Sequence, residues 1–350
     1  MKKNLLIIGA GILAFSCSNP TSTELDTQVN ESVKNNEIME KAKVYFAQLP
    51  TKAENPNNIL SPEKIKLGKV LYFDNRLSKD QTQSCNSCHN LNTFGVDNLP
   101  SSPGDNGGNG SRNSPTTFNA ALHFAQFWDG RNKDVEEQAG GPVLNPVEMA
   151  MPSEEAVENR LSEVEMYQKL FKDAYPKAEK TITYQNMRDA IGAFERTLLT
   201  PSKFDDFVTG NETALNDQEQ KGLEAFIDNS CVTCHSGALL GGNMLQKFAI
   251  FGNYWELTNS AVIDTGKYTE TRVETDKFIF KVPSLRNIEK TAPYFHDGSV
   301  ANLKDAVRIM GKTELNKDIS NEDLNNIVAF LNTLTADIPE EVKAIPEELK

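Results

Sequence analysis

Apolar and polar residues follow a helical period of about 3.6 along much of this chain. Four stretches show the period most clearly: Glu154–Tyr175, Tyr184–Leu199, Leu303–Met310 and Asn321–Leu334. Loops rich in Gly, Pro and Asn separate them. Sustained strand-type alternation is lacking, although Lys277–Val282 is compatible with a short strand. The pattern therefore predicts a mainly α protein.

The first apolar run is typical of an export signal. Lys2 and Lys3 precede the run Leu5–Phe15, which is shorter than the roughly 20 residues of a membrane-spanning helix. The run ends at Ala14-Phe15-Ser16-Cys17, which resembles the box that precedes the lipidated cysteine of bacterial lipoproteins. We therefore expect residues 1–16 to be a signal peptide and Cys17 to carry a lipid. The alternative is a plain signal peptide with an incidental cysteine.

The segment after this box is predicted to be a flexible tether. Residues 17–36 are rich in Ser, Thr, Asn and Glu and have no apolar period. No second long apolar segment follows, so the mature chain is predicted to lie on a bacterial membrane by its lipid rather than to span it. The expected location is the periplasm.

Length and charge narrow the class of protein. With 350 residues, the chain is long enough for about two domains of roughly 100–200 residues each. The formal net charge is −13, from 36 Lys and Arg against 49 Asp and Glu. This acidic balance disfavours nucleic acid as a partner and suits a cationic protein partner.

The cysteines other than Cys17 carry the strongest chemical signal. They form two patterns of the same type, Cys85-Asn86-Ser87-Cys88-His89 and Cys231-Val232-Thr233-Cys234-His235. Two thiols at this spacing can bind the two vinyl groups of one porphyrin as thioethers, and the adjacent histidine can then bind the iron. One such motif could be a redox dithiol, but two in an exported chain predict two haem c groups.

The residues before the two motifs also match, which suggests two copies of one module. Ser61-Pro62-Glu63 is a helix start, and Gly68 is followed six residues later by Asp74. In the second copy, the helix start is Asn216 with Glu219, and Gly222 is again followed six residues later, by Asp228. A short helix that leads into a haem-binding loop is typical of a cytochrome c domain.

These matches predict two cytochrome c-type domains, each with one covalently bound haem c. The helical pattern ends in a turn at Thr200-Pro201-Ser202, which is the best boundary. We assign residues 37–202 to an N-terminal domain and 203–338 to a C-terminal domain. Residues 339–350 would form a tail that either folds back on the first domain or lies free.

Many blocks of the sequence resemble the bacterial dihaem cytochrome c peroxidases, from about Ile59 to Leu334. Besides the two haem motifs, the matching blocks are Leu67–Lys69, Phe73–Ser78, Arg112–Pro115, Phe127–Arg131, Glu137–Ala139, Val147–Met149, Val282–Asn287 and Thr291–Ser299. The resemblance implies a first domain whose haem reduces hydrogen peroxide and a second domain whose haem accepts electrons. It also implies a calcium ion between the domains.

The resemblance assigns the ligands of the second haem. A methionine thioether opposite the proximal histidine supports a high potential, and the family interval places this ligand at Met310. A buried core methionine is the alternative for this position. A related branch, which oxidises tryptophans of a partner protein, has tyrosine here. Arg131 and Arg286 are expected to pair with haem propionates, because guanidinium binds carboxylates bidentately.

The first haem must bind peroxide and move a proton between its two oxygens. The resemblance assigns this proton transfer to Glu148 and the orientation of peroxide to the amide of Gln138. Without the family, a solvated acid and a surface amide would be the ordinary interpretations. Trp128 matches an indole that packs between the two haems and relays electrons, and it can serve as a core aromatic at the same time.

Calcium, by the same resemblance, would bind Asn113 and the backbone carbonyls of Thr291 and Pro293, a set of hard oxygen ligands. His296 has no remaining metal to bind, so we expect it to hydrogen-bond a propionate or the backbone.

One position departs from the family pattern. Many members carry, in the glycine-rich loop, a histidine that caps the first iron when both haems are oxidised. The corresponding residue here is Asp105, within Gly104-Asp105-Asn106-Gly107. His123 is expected to pack or to face solvent rather than to bind iron. We therefore expect a first haem that is open to peroxide without prior reduction.

The leading prediction is a peroxidase that takes electrons from a small c-type cytochrome or a cupredoxin. A membrane-anchored dihaem electron-transfer cytochrome is the second possibility, with Glu148 incidental. An enzyme of the partner-oxidising branch is the third, and Met310 disfavours it. A relay would need both irons six-coordinate, whereas a peroxidase needs one that is accessible. The sequence leaves the oligomeric state open, and a homodimer is compatible with it.

Overall fold

The structure is a computed structural model that describes residues 36–350. The predicted signal peptide, Cys17 and the tether up to residue 35 lie outside the described residues. The predicted mainly α class is confirmed. The helices are α1 (36–45), α2 (Pro62–Phe73), α3 (Cys85–Cys88), α4 (Val135–Leu144), α5 (Glu154–Ser162), α6 (Glu165–Ala174), α7 (Tyr184–Glu195), α8 (Lys203–Val208), α9 (Asp217–Asp228), α10 (Tyr254–Thr258), α11 (Tyr268–Thr271), α12 (Leu303–Leu315), α13 (Asn321–Asn332) and α14 (Glu340–Lys343).

The four helical stretches predicted from the sequence are all helical, with different bounds. The stretch at 154–175 is two helices, because Val164 is extended and separates α5 from α6. The stretch at 184–199 ends at Glu195, and the one at 303–310 continues to Leu315. Within the part of the chain that the structure describes, no helix combines the length and apolar character needed to cross a bilayer.

The first hydrophobic core is built around the packing of α2 on α7. Leu67 and Leu71 of α2 are fully buried there, together with Ile191 of α7. The helices approach closely at Gly68, where an added Cβ would lie 1.8 Å from the carbonyl oxygen of Ala190. Only glycine fits this contact, which explains why position 68, on the helix before the first haem motif, is a glycine.

The second hydrophobic core repeats this arrangement with α9 and α13. Leu223 of α9 and Ile327 of α13 are fully buried in it. A Cβ added at Gly222 would lie 1.8 Å from the carbonyl oxygen of Asn326. The two modules inferred from the sequence therefore share the same close helix contact.

The N-terminal segment departs from the predicted domain boundary. Residues 37–202 were expected to form the first domain, but Ile38, Met39, Ala42 and Phe46 pack in the second core. The backbone N–H of Leu49 also donates to the carboxylate of Asp205, 2.7 Å away. The described part of the chain thus starts in the second core, and the first core is formed by later residues. No local sequence pattern predicts this long-range contact.

The C-terminal tail packs against the first core through Ile338, Val342 and Leu349. Lys69 Nζ of α2 donates to the carbonyl oxygen of Glu341. The start of the described chain therefore packs on the second core, and its end packs on the first.

A small antiparallel sheet borders the second core. Strand β1 (Leu245–Lys247) pairs with strand β2 (Ile279–Lys281), and Leu245 lies opposite Lys281. The short strand predicted at Lys277–Val282 is confirmed.

Three contacts join the two halves of the chain near the haem motifs. Arg112 forms an ion pair with Asp264 at 2.6 Å. The backbone N–H of Asn113 donates to the carbonyl of His296, at 2.7 Å, and that of Lys281 donates to the carbonyl of Trp128, at 2.6 Å. These contacts bring the family-matched blocks of both halves into one region.

Candidate functional site

Each Cys-X-X-Cys-His motif forms one tight helical turn. The backbone N–H of His89 donates to Cys85 O at 2.9 Å, and that of His235 donates to Cys231 O at 3.0 Å. The four motif cysteines form no disulfide within residues 36–350. Burial raises the pKa of Cys88 and Cys231 to about 11, whereas reactive redox dithiols have lowered pKa values. The turns thus favour haem attachment over dithiol chemistry.

Both motif histidines are oriented as iron ligands. His89 Nδ1 lies 2.9 Å from the carbonyl oxygen of Pro115, and His235 Nδ1 lies 3.0 Å from that of Leu240. Burial lowers the pKa of both imidazoles, so they are neutral near pH 7. A neutral ring that donates from Nδ1 leaves the lone pair of Nε2 free for a metal. Neither carbonyl partner could be identified from the sequence, because both contacts depend on loop conformation.

A cavity of about 340 Å³ adjoins the second motif. Its wall includes Cys231, Cys234 and His235, together with apolar side chains such as Phe226 and Leu303. A mainly apolar cavity beside two thiols and an oriented imidazole fits a covalently bound porphyrin.

Met310 lies in the wall of the same cavity as His235. It belongs to α12 and is half-buried rather than enclosed in either core. A thioether at the wall is available to a bound group, which a core methionine would not be. The predicted ligand and the proximal histidine are thus brought to one cavity.

Glu148 lies in the turn that follows α4. Asn145 Nδ2 donates to its Oε1 at 2.9 Å, which holds the carboxyl group in place. Burial raises the pKa of Glu148, and the nearby charge of Arg131 and the Asn145 hydrogen bond oppose this shift only in part. Gln138 lies on α4 itself and is half-buried. A half-buried carboxyl group with a raised pKa is suited to proton transfer near neutral pH.

Trp128 stands where the surroundings of the two motifs meet. Its Nε1 donates to the carbonyl of Asn113 at 2.9 Å, and its ring lines the cavity of the second motif. Pro115, whose carbonyl binds His89, lines the same cavity. The block around residues 113–116 therefore contacts the first proximal histidine on one side and the second cavity on the other.

Both arginines expected at haem propionates already bind acids of this chain. Arg131 lies 2.8 Å from Asp129 and keeps about a third of its side chain exposed, at 33%. Arg286 is 1% exposed, and all five of its N–H donors have acceptors, namely Asp205, Ser202 Oγ and Ala238 O. A propionate could bind Arg286 only by replacing one of these acceptors, so the structure argues against that predicted contact.

The residues expected to bind calcium are partly brought together. Asn113 Nδ2 lies 3.2 Å from the carbonyl oxygen of Pro293 and 3.1 Å from that of Leu99. Turning the amide by 180° would place its Oδ1 beside these two oxygens. Thr291 lies two residues before Pro293 and lines the adjoining cavity. Within residues 36–350 no cluster of three or more His, Cys, Asp or Glu could hold a metal, so a cation here would depend on amide and carbonyl oxygens.

Asp105 is buried and binds the segment between Ser78 and Thr82. Its carboxylate accepts hydrogen bonds from Ser78 Oγ (2.8 Å), Thr82 Oγ1 (2.6 Å) and the backbone N–H groups of Asp80 and Thr82. Burial alone would raise the pKa of Asp105, but these hydrogen bonds outweigh it and the pKa is lowered. The carboxylate therefore anchors the glycine-rich loop.

The two remaining histidines lie around the second cavity. His123 Nδ1 lies 2.7 Å from Lys281 Nζ, and its Nε2 is enclosed without a partner. His296 stacks on Phe280 with the ring centroids 4.2 Å apart, and its Nε2 also lacks a partner among the described residues. No sequence signal marks Lys281, because a lysine in a short strand is ordinarily exposed.

The fold and the two haem-attachment turns define a mainly helical protein of the c-type haem-binding class. A family model described as di-haem cytochrome c peroxidase matches residues 62–213. Cytochrome c551 peroxidase of Pseudomonas aeruginosa is 43% identical over 307 residues, which cover 86% of this chain and 87% of the relative. The chain belongs to the di-haem cytochrome c peroxidase family.

Two further comparisons agree. Cytochrome c551 peroxidase of Nitrosomonas europaea is 45% identical over 292 residues, which cover 83% of this chain and 84% of the relative. The crystal structure of a MauG-like protein associated with microbial copper homeostasis aligns with a TM-score of 0.76 and 26% identity, over 85% of this chain and 97% of that one.

Proposed function

We propose that this chain reduces hydrogen peroxide to two waters at its first haem, with two protons and two electrons that enter through its second haem. The observation that carries the proposal is the half-buried Glu148, whose pKa is raised by burial, in a protein of the di-haem peroxidase family. When bound, the first haem supplies the iron at which the oxygen–oxygen bond is reductively broken.

Glu148 is the proton-transfer group of this proposal. Its carboxylate takes a proton from the nearer peroxide oxygen and returns it to the farther one, which leaves as water. Asn145 holds Oε1 in one orientation, so the other oxygen stays available for this transfer. Gln138 would orient the peroxide and the departing water through its neutral amide.

The second haem is the electron-entry site of the proposal. His235 and Met310 would bind its iron, a pair that supports a high potential. Trp128 and the block at 113–116 would link the two haems, because they contact both surroundings. The donor would be a small c-type cytochrome or a cupredoxin, and the negative charge of the chain suits a cationic one.

Three further assignments belong to the same proposal. Arg131 would pair with a propionate through its exposed part, and calcium would bind Asn113, Thr291 and Pro293. The mature chain would be held at a bacterial membrane by a lipid on Cys17, facing the periplasm.

The first haem would react with peroxide without prior reduction. This follows from Asp105, whose carboxylate binds Ser78 and Thr82 and is not available as an iron cap. Stopped-flow mixing of the fully oxidised protein with peroxide, with its ferric spin state recorded, tests this point. A wholly low-spin protein that reacts only after one-electron reduction would contradict it.

The function itself is tested by peroxide consumption of the haem-loaded chain with a reduced small cytochrome or cupredoxin as donor. The proposal predicts two donor molecules oxidised for each peroxide consumed. A dihaem relay would accept electrons from the donor but leave peroxide intact.

A further inference from the structure

Among residues 36–350, the buried arginines are paired with acids, and the buried Lys281 is not. Arg196 binds both carboxylate oxygens of Glu136 at 2.7 Å, and Arg286 binds Asp205. Lys281 is equally buried, at 5% exposure, but no acidic side chain of residues 36–350 forms an ion pair with it. An unpaired buried charge costs several kcal/mol or shifts its pKa until it is neutral.

The hydrogen bonding of Lys281 also lacks an acidic partner. Its neighbour within 2.7 Å is Nδ1 of His123. A lysine ammonium only donates, so the neutral ring of His123 accepts at Nδ1 and carries its proton on Nε2, which has no partner. Burial lowers the pKa of Lys281 to about 7 and, together with the charge of Lys281, lowers that of His123. The pair thus offers donors and lacks an anionic acceptor.

The position of Lys281 indicates which anion it would meet. Strand β2 and the hydrogen bond from the Lys281 N–H to Trp128 O fix the backbone, and Lys281 lines the same cavity as His235 and Met310. A porphyrin in this cavity carries two propionate carboxylates. Arg286, the residue expected to bind one of them, has no free donor.

We propose that Lys281, held in position by His123, binds a propionate carboxylate of the second haem. The inference rests on the proposed second haem in this cavity. An ammonium beside the macrocycle stabilises the added electron, so the contact also raises the potential of that haem relative to one without it. Lys281 is thereby a cofactor-binding residue, and His123 is a positioning residue.

The test compares three variants of the full chain with both haems attached. Lys281→Met removes the charge at similar length, and Lys281→Arg keeps it. Lys247→Met is the matched control, because Lys247 lies on the paired strand β1, borders the same cavity and is exposed. Pyridine haemochrome spectra first count the haems of each variant, so that failure to bind two haems in the wild type refutes the proposed function rather than this contact.

The direct measurement is a reduced-minus-oxidised infrared difference spectrum with haem ¹³C-labelled at its carboxyl carbons. We expect the isotope-sensitive carboxylate bands to shift in Lys281→Met and to remain in Lys247→Met. Spectroelectrochemical titration should show a lower potential for the second haem in Lys281→Met only, with most of the loss restored in Lys281→Arg. Unchanged carboxylate bands in a fully loaded Lys281→Met protein would overturn the proposal.

A second variant covers the case in which Lys281→Met does not retain its haem. His123→Phe keeps the ring volume and removes the Nδ1 acceptor, so the ammonium is held less firmly. We then expect altered carboxylate bands in both His123→Phe and Lys281→Arg. Bands identical to those of the wild type in these two variants would equally refute the contact.

Discussion

The two haem-attachment regions have the same framework and different surrounding side chains. In each, a glycine six residues before an aspartate allows one helix to pack directly against a backbone carbonyl of another, at Gly68 and at Gly222. In each, a half-buried neutral histidine is oriented by a backbone carbonyl. The framework therefore attaches and orients a haem, and it does not by itself decide what that haem does.

The side chains around the two motifs differ. The second cavity presents the thioether of Met310 and the buried Lys281, and its wall also includes Glu314, whose pKa burial raises. Near the first motif, burial raises the pKa of Glu148, and it raises that of Glu195 on α7 to about 8. A thioether and a cation suit the holding of an electron, whereas a carboxyl group with a raised pKa suits proton transfer. In the proposed function, these differences would give one module two different roles.

The largest effect on turnover is expected from the first region. Glu148→Gln should lower peroxide turnover by roughly 100-fold or more while both haems stay attached, because a positioned proton-transfer group is lost. Steady-state rates at saturating peroxide measure this. Glu155→Gln, at an exposed acid in the first turn of α5, is the control. A Glu148→Gln enzyme with wild-type rates would remove the proposed difference between the regions.

The pH profile sharpens the same point. If Glu148 must be ionised to accept the proton, wild-type turnover falls as the pH falls through its pKa. Because burial raises that pKa, the fall should begin at a higher pH than for an ordinary glutamate. The profile of Glu148→Gln should lack this step, and its persistence there would assign the step to another group.

A smaller effect on turnover is expected in the second region. Met310→His should lower the potential of the second haem, because imidazole replaces a thioether that favours ferrous iron. Redox titration should show this shift with the first haem unchanged. Met244→His lies in the same half but outside the cavity wall and should leave both potentials in place. An unchanged potential in Met310→His would move the ligand elsewhere.

The shared framework predicts equal losses of stability with little effect on chemistry. Gly68→Ala and Gly222→Ala each force a Cβ to 1.8 Å from a backbone oxygen, so each should lower the stability by about 1–3 kcal/mol or more. Thermal unfolding midpoints of the haem-loaded variants measure this. Gly110→Ala, whose nearest neighbour would be 3.7 Å away, is the control. A loss at only one site would show that the two modules are not equivalent.

The smallest effect on turnover is expected at Cys17. Cys17→Ala should abolish incorporation of labelled fatty acid and release the protein from the membrane fraction, with unchanged activity. Equal labelling of the variant and the wild type would refute the lipid anchor.

Local sequence was sufficient for features that depend on neighbours in the chain. Two cysteines and a histidine in five residues form one helical turn, so both haem sites could be placed by inspection. The helix starts at Ser61 and Asn216 could also be predicted from the sequence, because a capping side chain acts within three residues. The family blocks then indicated Glu148 and Met310, whose surroundings the structure supplies.

Tertiary structure alone decided the partners of charged groups. Arg286 meets Asp205, 81 residues away, and Lys281 meets His123, 158 residues away. Asp105 serves as an anchor only because the segment at 78–82 folds over it. Residues 38–46 likewise pack in the second core, whose other members lie between Phe204 and Leu334. Such contacts depend on which surfaces are buried together, and local sequence does not determine this. Burial in turn sets both the pKa of a charged group and its need for a counter-charge.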